Sequence, residues 1–357
     1  MKKTFLFSLT LVSLLFGCMD MNSTQPEQNF NFPAAYIING GSSTMSVINL
    51  NTNEIAGLVQ LTDGSSMPGH SMASGSFLMF PHHIYLNPDK TQIAIAAPGM
   101  DLSAGHAATT APHSGMAKVA ILDAVKGQTI KLIDVPMMNH NAVYSPDGKE
   151  IWTSQMDTKG TVLVYDATTY SLKNTVNVGN TPTEIIFSAD GSTAFVANGA
   201  DNSVTAISPS TKKVLATIPV GKNPVGAWVG KDNRMYVDNE DGQSVSIIDV
   251  KTLKVIEIIS LGFMPGYVAY LPNMKEMWVS DPMAGKVHYW TKGADEKFTK
   301  TGSFATAAGA HAIGLNGTTA YVTNQEAASV SVVDVMKHTK IKDLTVGSKP
   351  NGIVIKL

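Results

Sequence analysis

From Ala34 onward the chain is written in short apolar-rich runs with the two-residue alternation of β-strands, each closed by Asn, Asp, Gly, Ser or Thr. The runs come in groups of four, clearest over residues 181–221, where a strand after Pro182 is followed by runs around Phe195, Val204 and Leu215. The second run of the group recurs at Tyr36, Ala94, Trp152, Phe195, Tyr236, Trp278 and Tyr321. A four-strand unit repeated in this way predicts an all-β fold, a seven-bladed β-propeller with four-stranded blades.

Tyr321-Val322-Thr323-Asn324 and the following Ser329-Val330-Ser331-Val332-Val333-Asp334 carry the signature of the YVTN family of propeller repeats, which the chain resembles over residues 34–357. The resemblance implies the fold and leaves function open, because such rings serve many roles. The first run, Ala34 to Asn39, is a second strand in the repeat, whereas Pro350-Asn351-Gly352-Ile353 reads as a first strand. The C-terminal strand is therefore expected to complete blade 1 and close the ring.

The intervals between equivalent second strands are 58, 58, 43, 41, 42 and 43 residues, so the first two are long. The surplus falls in residues 62–80, ahead of blade 2, and in residues 98–116, between that blade's second and third strands. In a propeller both kinds of loop emerge on one face. These two carry Met67, His70, Met72, Met79, Met100, His106, His113 and Met116. Aligned on the Pro182 column, His82, His140 and His311 occupy one position, with Thr183, Val225, Gly266 and Asn351 in the other blades. His83 follows directly, and Met138 stands two residues before His140. In a regular strand His82 and His83 would point to opposite sides. Glu184, next to the same column, is expected to be a solvated strand-end carboxylate; paired with His140 it could serve acid–base chemistry.

Imidazole and thioether without thiolate suit copper. The predicted metal residues are His82, His83, His140, His311, His70, His106, His113, Met72, Met116 and Met138. The placement of His82-His83, His140 and His311 is similar to the copper-cluster propeller of nitrous oxide reductases, although the Cys-rich copper domain of those enzymes has no counterpart here and their reductase activity does not carry over. The channel-mouth histidines also resemble those of the haem d1 propeller of cytochrome cd1 nitrite reductases, which makes haem d1 the alternative cofactor. No catalytic residues are assigned, and a binding role is expected ahead of an enzymatic one. The other expectation is a metal-free module that binds a protein, peptide or glycan.

The formal charge is −2, from 26 Lys and Arg against 28 Asp and Glu, and Arg234 is the single arginine. No basic stripe is present, so no nucleic-acid partner is expected. Lys2 and Lys3 precede an apolar stretch from Phe5 to Phe16, the form of an export signal. Leu15-Phe16-Gly17-Cys18 resembles the lipobox of bacterial lipoproteins, and Cys18 is the chain's one cysteine. The expected organisation is a signal peptide over residues 1–17, a lipidated Cys18 with a tether over 18–33, and the propeller over 34–357. That implies a cell-envelope protein anchored to membrane lipid through Cys18, in the outer membrane by the absence of the usual retention residues, as a monomer that meets a metal-donor or metal-acceptor protein.

Overall fold

The computed structural model describes residues 28–62, 77–103 and 117–357. Its strands, β1 to β28 in chain order, form seven four-stranded antiparallel sheets, the blades of a propeller. Blade 1 places β28 (Pro350–Lys356) innermost, paired with β1 (Ala34–Asn39), and β2 (Thr44–Asn49) and β3 (Glu54–Gln60) follow outward. The expected closure is thus present. Blades 2 to 7 each run in chain order outward from an innermost strand: β4 (His82–Leu86), β8 (Ala142–Tyr144), β12 (Pro182–Phe187), β16 (Pro224–Val229), β20 (Tyr267–Leu271) and β24 (Ala310–Asn316).

The repeat has a direct packing meaning. Trp152, Trp278, Tyr36, Tyr236, Tyr321 and Phe195, the aromatic column of the second strands, are the six largest fully buried side chains. They fill the space between neighbouring blades, at about 1.5–3 kcal/mol or more of transfer free energy for each large apolar group. Blade 2 carries Ala94 in this column. The Asn that ends the motif is equally specific. The side-chain amides of Asn39, Asn198, Asn239 and Asn324 each donate to two hydroxyls on the next strand, as Asn324 does to Ser329 (3.1 Å) and Ser331 (3.0 Å). These bonds satisfy buried polar groups while fixing the second hairpin of the blade.

Packing begins ahead of Ala34. Phe30 is buried against Tyr36, its amide donates to Val125 O (2.7 Å), and Lys356 Nζ donates to its carbonyl (2.6 Å). The segment leading to β1 therefore ties the C-terminal strand to blade 2.

Candidate metal centre

Each innermost strand begins near the mouth of the central channel, and here most of them are irregular. The pairing of the first with the second strand shifts register at His82/Ile84, Pro182/Ile185, Pro224/Gly226 and Ala310/Ile313, and β28 shifts likewise opposite Ile38/Asn39. In blade 2 the extra residue is His83, with φ at +20°. A bulge of this kind cancels the alternation of a regular strand. His82 and His83 consequently sit side by side, ring centroids 4.4 Å apart, rather than on opposite sides. Gly352 on β28 makes room for this: a Cβ there would stand 2.8 Å from His83 Cα and 3.2 Å from its nitrogen. A G352A substitution is expected to push the His83 bulge outward and to cost about 1–3 kcal/mol, the usual range for overpacking, measured by urea denaturation. Wild-type stability in that variant would show that the bulge yields freely.

The bulge brings His82, His83 and His140 together. One ligand nitrogen from each lies within 4.8 Å of the others, and all three residues are buried. The His140 ring is 4.6 Å from His82 and 4.7 Å from His83. His311 stands farther out, its ring 6.4 Å from His82 and 6.1 Å from His83.

The surrounding groups orient these rings. His140 Nδ1 is 2.8 Å from Glu184 Oε2, and the Asn141 amide donates to Glu184 Oε1 (2.7 Å), which also accepts from the Tyr85 hydroxyl. Glu184 is thus fully buried at the heart of the site and not solvated as expected. Its position in the bulge column, the column of His83, is the signal that was open to sequence reading. His311 Nδ1 lies 3.0 Å from the Asn351 carbonyl, which can only accept. That nitrogen therefore carries a proton, which leaves Nε2 as the ring atom able to ligate. Thr183, in the same column, makes the equivalent bond to Val225 O (2.6 Å). His311 therefore combines a blade-to-blade latch with a potential ligand position. The Asn351 side chain donates to Pro81 O (3.2 Å), just ahead of His82.

The two carboxyl groups of the region, Glu184 and Asp238, are both buried. Burial pushes the Glu184 carboxyl well above the usual carboxylate range, and the nearby Asp238 adds to the rise. Asp238, itself buried, accepts from Trp228 Nε1 (2.5 Å) and is pushed up to about 6, by burial first and then by Glu240. The Tyr85 hydroxyl is raised by burial and by Glu184. Two buried carboxyls sharing one region disfavour each other's ionised form, and a bound cation would relieve both. Below the cluster Trp228 lies 5.7 Å from His83 and packs at 3.8 Å on Tyr267. Above it a cavity of about 690 Å³ is lined by His82 and His311.

Met138 is not drawn into this group. It is fully buried in an apolar cluster with Leu102, Met156 and Met100, a packing role. Met79 is 40% exposed and ahead of β4. His288 and His338 lie away from the cluster, paired with Asp281 (3.3 Å) and Glu276 (2.9 Å). Cys18, His70, Met72, His106, His113 and Met116 lie outside the described residues.

No protein-family profile matches the chain, and no curated protein matches it in sequence. Solved structures do match. A functionally unknown protein from Desulfotomaculum acetoxidans is similar over 90% of this chain and 98% of its own, with 11% identity and a TM-score of 0.70. The periplasmic gluconolactonase PpgL of Pseudomonas aeruginosa matches over 91% of this chain and 99% of its own, at 14% identity and a TM-score of 0.67. Dihydro-heme d1 dehydrogenase NirN, solved in complex with DHE, matches over 90% of this chain and 74% of its own, at 12% identity and a TM-score of 0.59. These likenesses agree with the seven-bladed fold, and at such identities they establish the fold alone.

Proposed function

We propose that the protein binds a metal ion, copper in preference to others, through His82, His83 and His140, with His311 completing the set. The observation that carries this reading is the gathering of three buried imidazoles from two blades by a bulge that overrides the strand's alternation. Nitrogen bonds of about 2.0–2.1 Å put ligand atoms about 3.3–3.5 Å apart, a spacing that small side-chain rotations reach from the observed 4.8 Å limit. The second contacts fit as well: a carboxylate on His140 Nδ1 and a backbone carbonyl on His311 Nδ1 are the partners that fix a ligating imidazole. An all-nitrogen set favours Cu(II) by affinity order and also accepts Cu(I).

In this reading the chain is an exported lipoprotein held to the envelope through Cys18. Its ring captures copper, hands it to or takes it from a partner protein, or holds it for redox chemistry. Haem d1 is the weaker proposal. The cavity beside His82 and His311 presents Glu240, Asp241 and Glu326 against Lys222 alone, a poor match for the carboxylates of a haem-type macrocycle.

Elemental analysis after anaerobic Cu(I) and aerobic Cu(II) exposure tests the copper reading. The protein is expected to retain close to one equivalent, and an H82A/H140A/H311A variant to lose it. Equal, substoichiometric metal in the two would overturn the proposal and leave a metal-free interaction module. Intense visible absorption of the isolated protein would instead favour haem d1.

A further inference from the structure

A buried metal centre needs a way in. The ligands are 3% exposed at His82, 4% at His83 and 1% at His140. The upper cavity reaches the centre through His82 and His311, whereas the lower cavity, of about 450 Å³, is lined by Tyr85, Trp228 and Tyr267 and by none of the histidines. The upper cavity thus offers an ion a path to the centre.

The wall of that cavity carries two methionines, Met264 and Met283. Met264 precedes β20, and Met283 follows β21 (Glu276–Asp281) in the loop toward β22 (Lys286–Lys292). They thus occupy in blade 6 the same two loops that are long in blade 2. Both are turned to solvent, Met264 at 48% and Met283 at 87% exposure. Neither belongs to an apolar core cluster, so packing does not account for them. The same wall presents Glu240, Asp241 and Glu326 with Lys222, an excess of negative charge that concentrates cations at the mouth. Carboxylates alone would draw any cation. Thioethers add a preference for soft, monovalent ions, and the floor is imidazole.

We infer that Met264 and Met283 form a transit site for a soft monovalent cation, Cu(I) by class, which they pass across the upper cavity to the histidine centre. The inference rests on the copper reading of that centre, but its test can fail separately.

The test uses Ag(I) as the probe on the full chain labelled with ¹³C at the methionine methyls, with M264L and M283L single variants assigning the two signals. The Met264 and Met283 methyls are expected to shift on Ag(I) addition, both in the parent protein and in H82A/H140A/H311A. Uptake of Cu(I) by an M264L/M283L variant is expected to slow by an order of magnitude or more, and its long-time copper content reports on the histidine centre independently. Unmoved methyls, or wild-type uptake rates in the double variant, overturn the transit site even if copper still fills the centre. Shifted methyls in a protein whose centre holds no copper would support the transit site and sink the copper reading instead.

Discussion

An E184A variant is expected to lose about 2–6 kcal/mol of folding stability, since two buried groups left without their acceptor cost about 1–3 kcal/mol each. Glu184 accepts from Asn141 and Tyr85 on one oxygen and meets His140 Nδ1 on the other. Deletion takes the shared acceptor from all three at once, in a place with no solvent to replace it. Asn141 keeps its second bond, to Ile185 O (2.7 Å), so the loss falls mainly on Tyr85 and His140. E184Q is expected to cost less, because one amide oxygen remains to accept. Its copper affinity should still fall 10- to 100-fold, the usual effect of losing the partner that orients a ligating imidazole. Urea denaturation and a copper competition titration check the two numbers. An E184A protein as stable as the parent would mean that the buried carboxyl is merely tolerated.

The second large effect concerns pH. Asp238 is pushed from 3.8 up to about 6 in the folded protein, chiefly by burial. A raised acid binds its proton more tightly folded than unfolded, so its contribution to stability is fully present below 3.8 and is lost as the pH rises through about 6. At about 1.4 kcal/mol for each tenfold change in proton affinity, the loss is about 3 kcal/mol. D238N keeps an oxygen to accept from Trp228 Nε1 and cannot ionise. Stability measured across that window should therefore fall by about 3 kcal/mol more in the parent than in D238N. Parallel pH profiles for the two proteins would show that Asp238 ionises without penalty.

The ring was legible in the sequence because each blade repeats the same packing problem. An aromatic side chain at the second strand fills the space between blades, and an Asn at its end ties down two hydroxyls. Even the closure could be read, since residues 350–353 carry first-strand sequence where the repeat lacks a first strand. The register of the repeat likewise predicted His82 and His140 near one another and His311 on the same rim. What the alternation rule misread was the strand ends. It sent His83 to the far side of the strand and left Glu184 in solvent, because period-two reasoning assumes regular pairing and the innermost strands bulge at that point. Once the bulge is present, the column of His83 and Glu184 leads inward. Met264 and Met283 escaped notice for a different reason. Blade 6 has loops of ordinary length, and insertion length drew attention to blade 2.

Ring closure also bears on the order in which the protein matures. β28 meets β1 across almost the whole chain, with Ala34 opposite Lys356. Contacts of such sequence separation form late, after the cost of closing the largest loop has been met. The same strand supplies the carbonyl that holds His311 and the glycine that admits the His83 bulge. A chain folded as far as blade 7 would already contain all four histidines and still lack the geometry to hold a metal tightly. On the copper reading proposed above, metallation would be timed to completion of the fold, and a half-assembled protein would not trap an ion between unfinished blades.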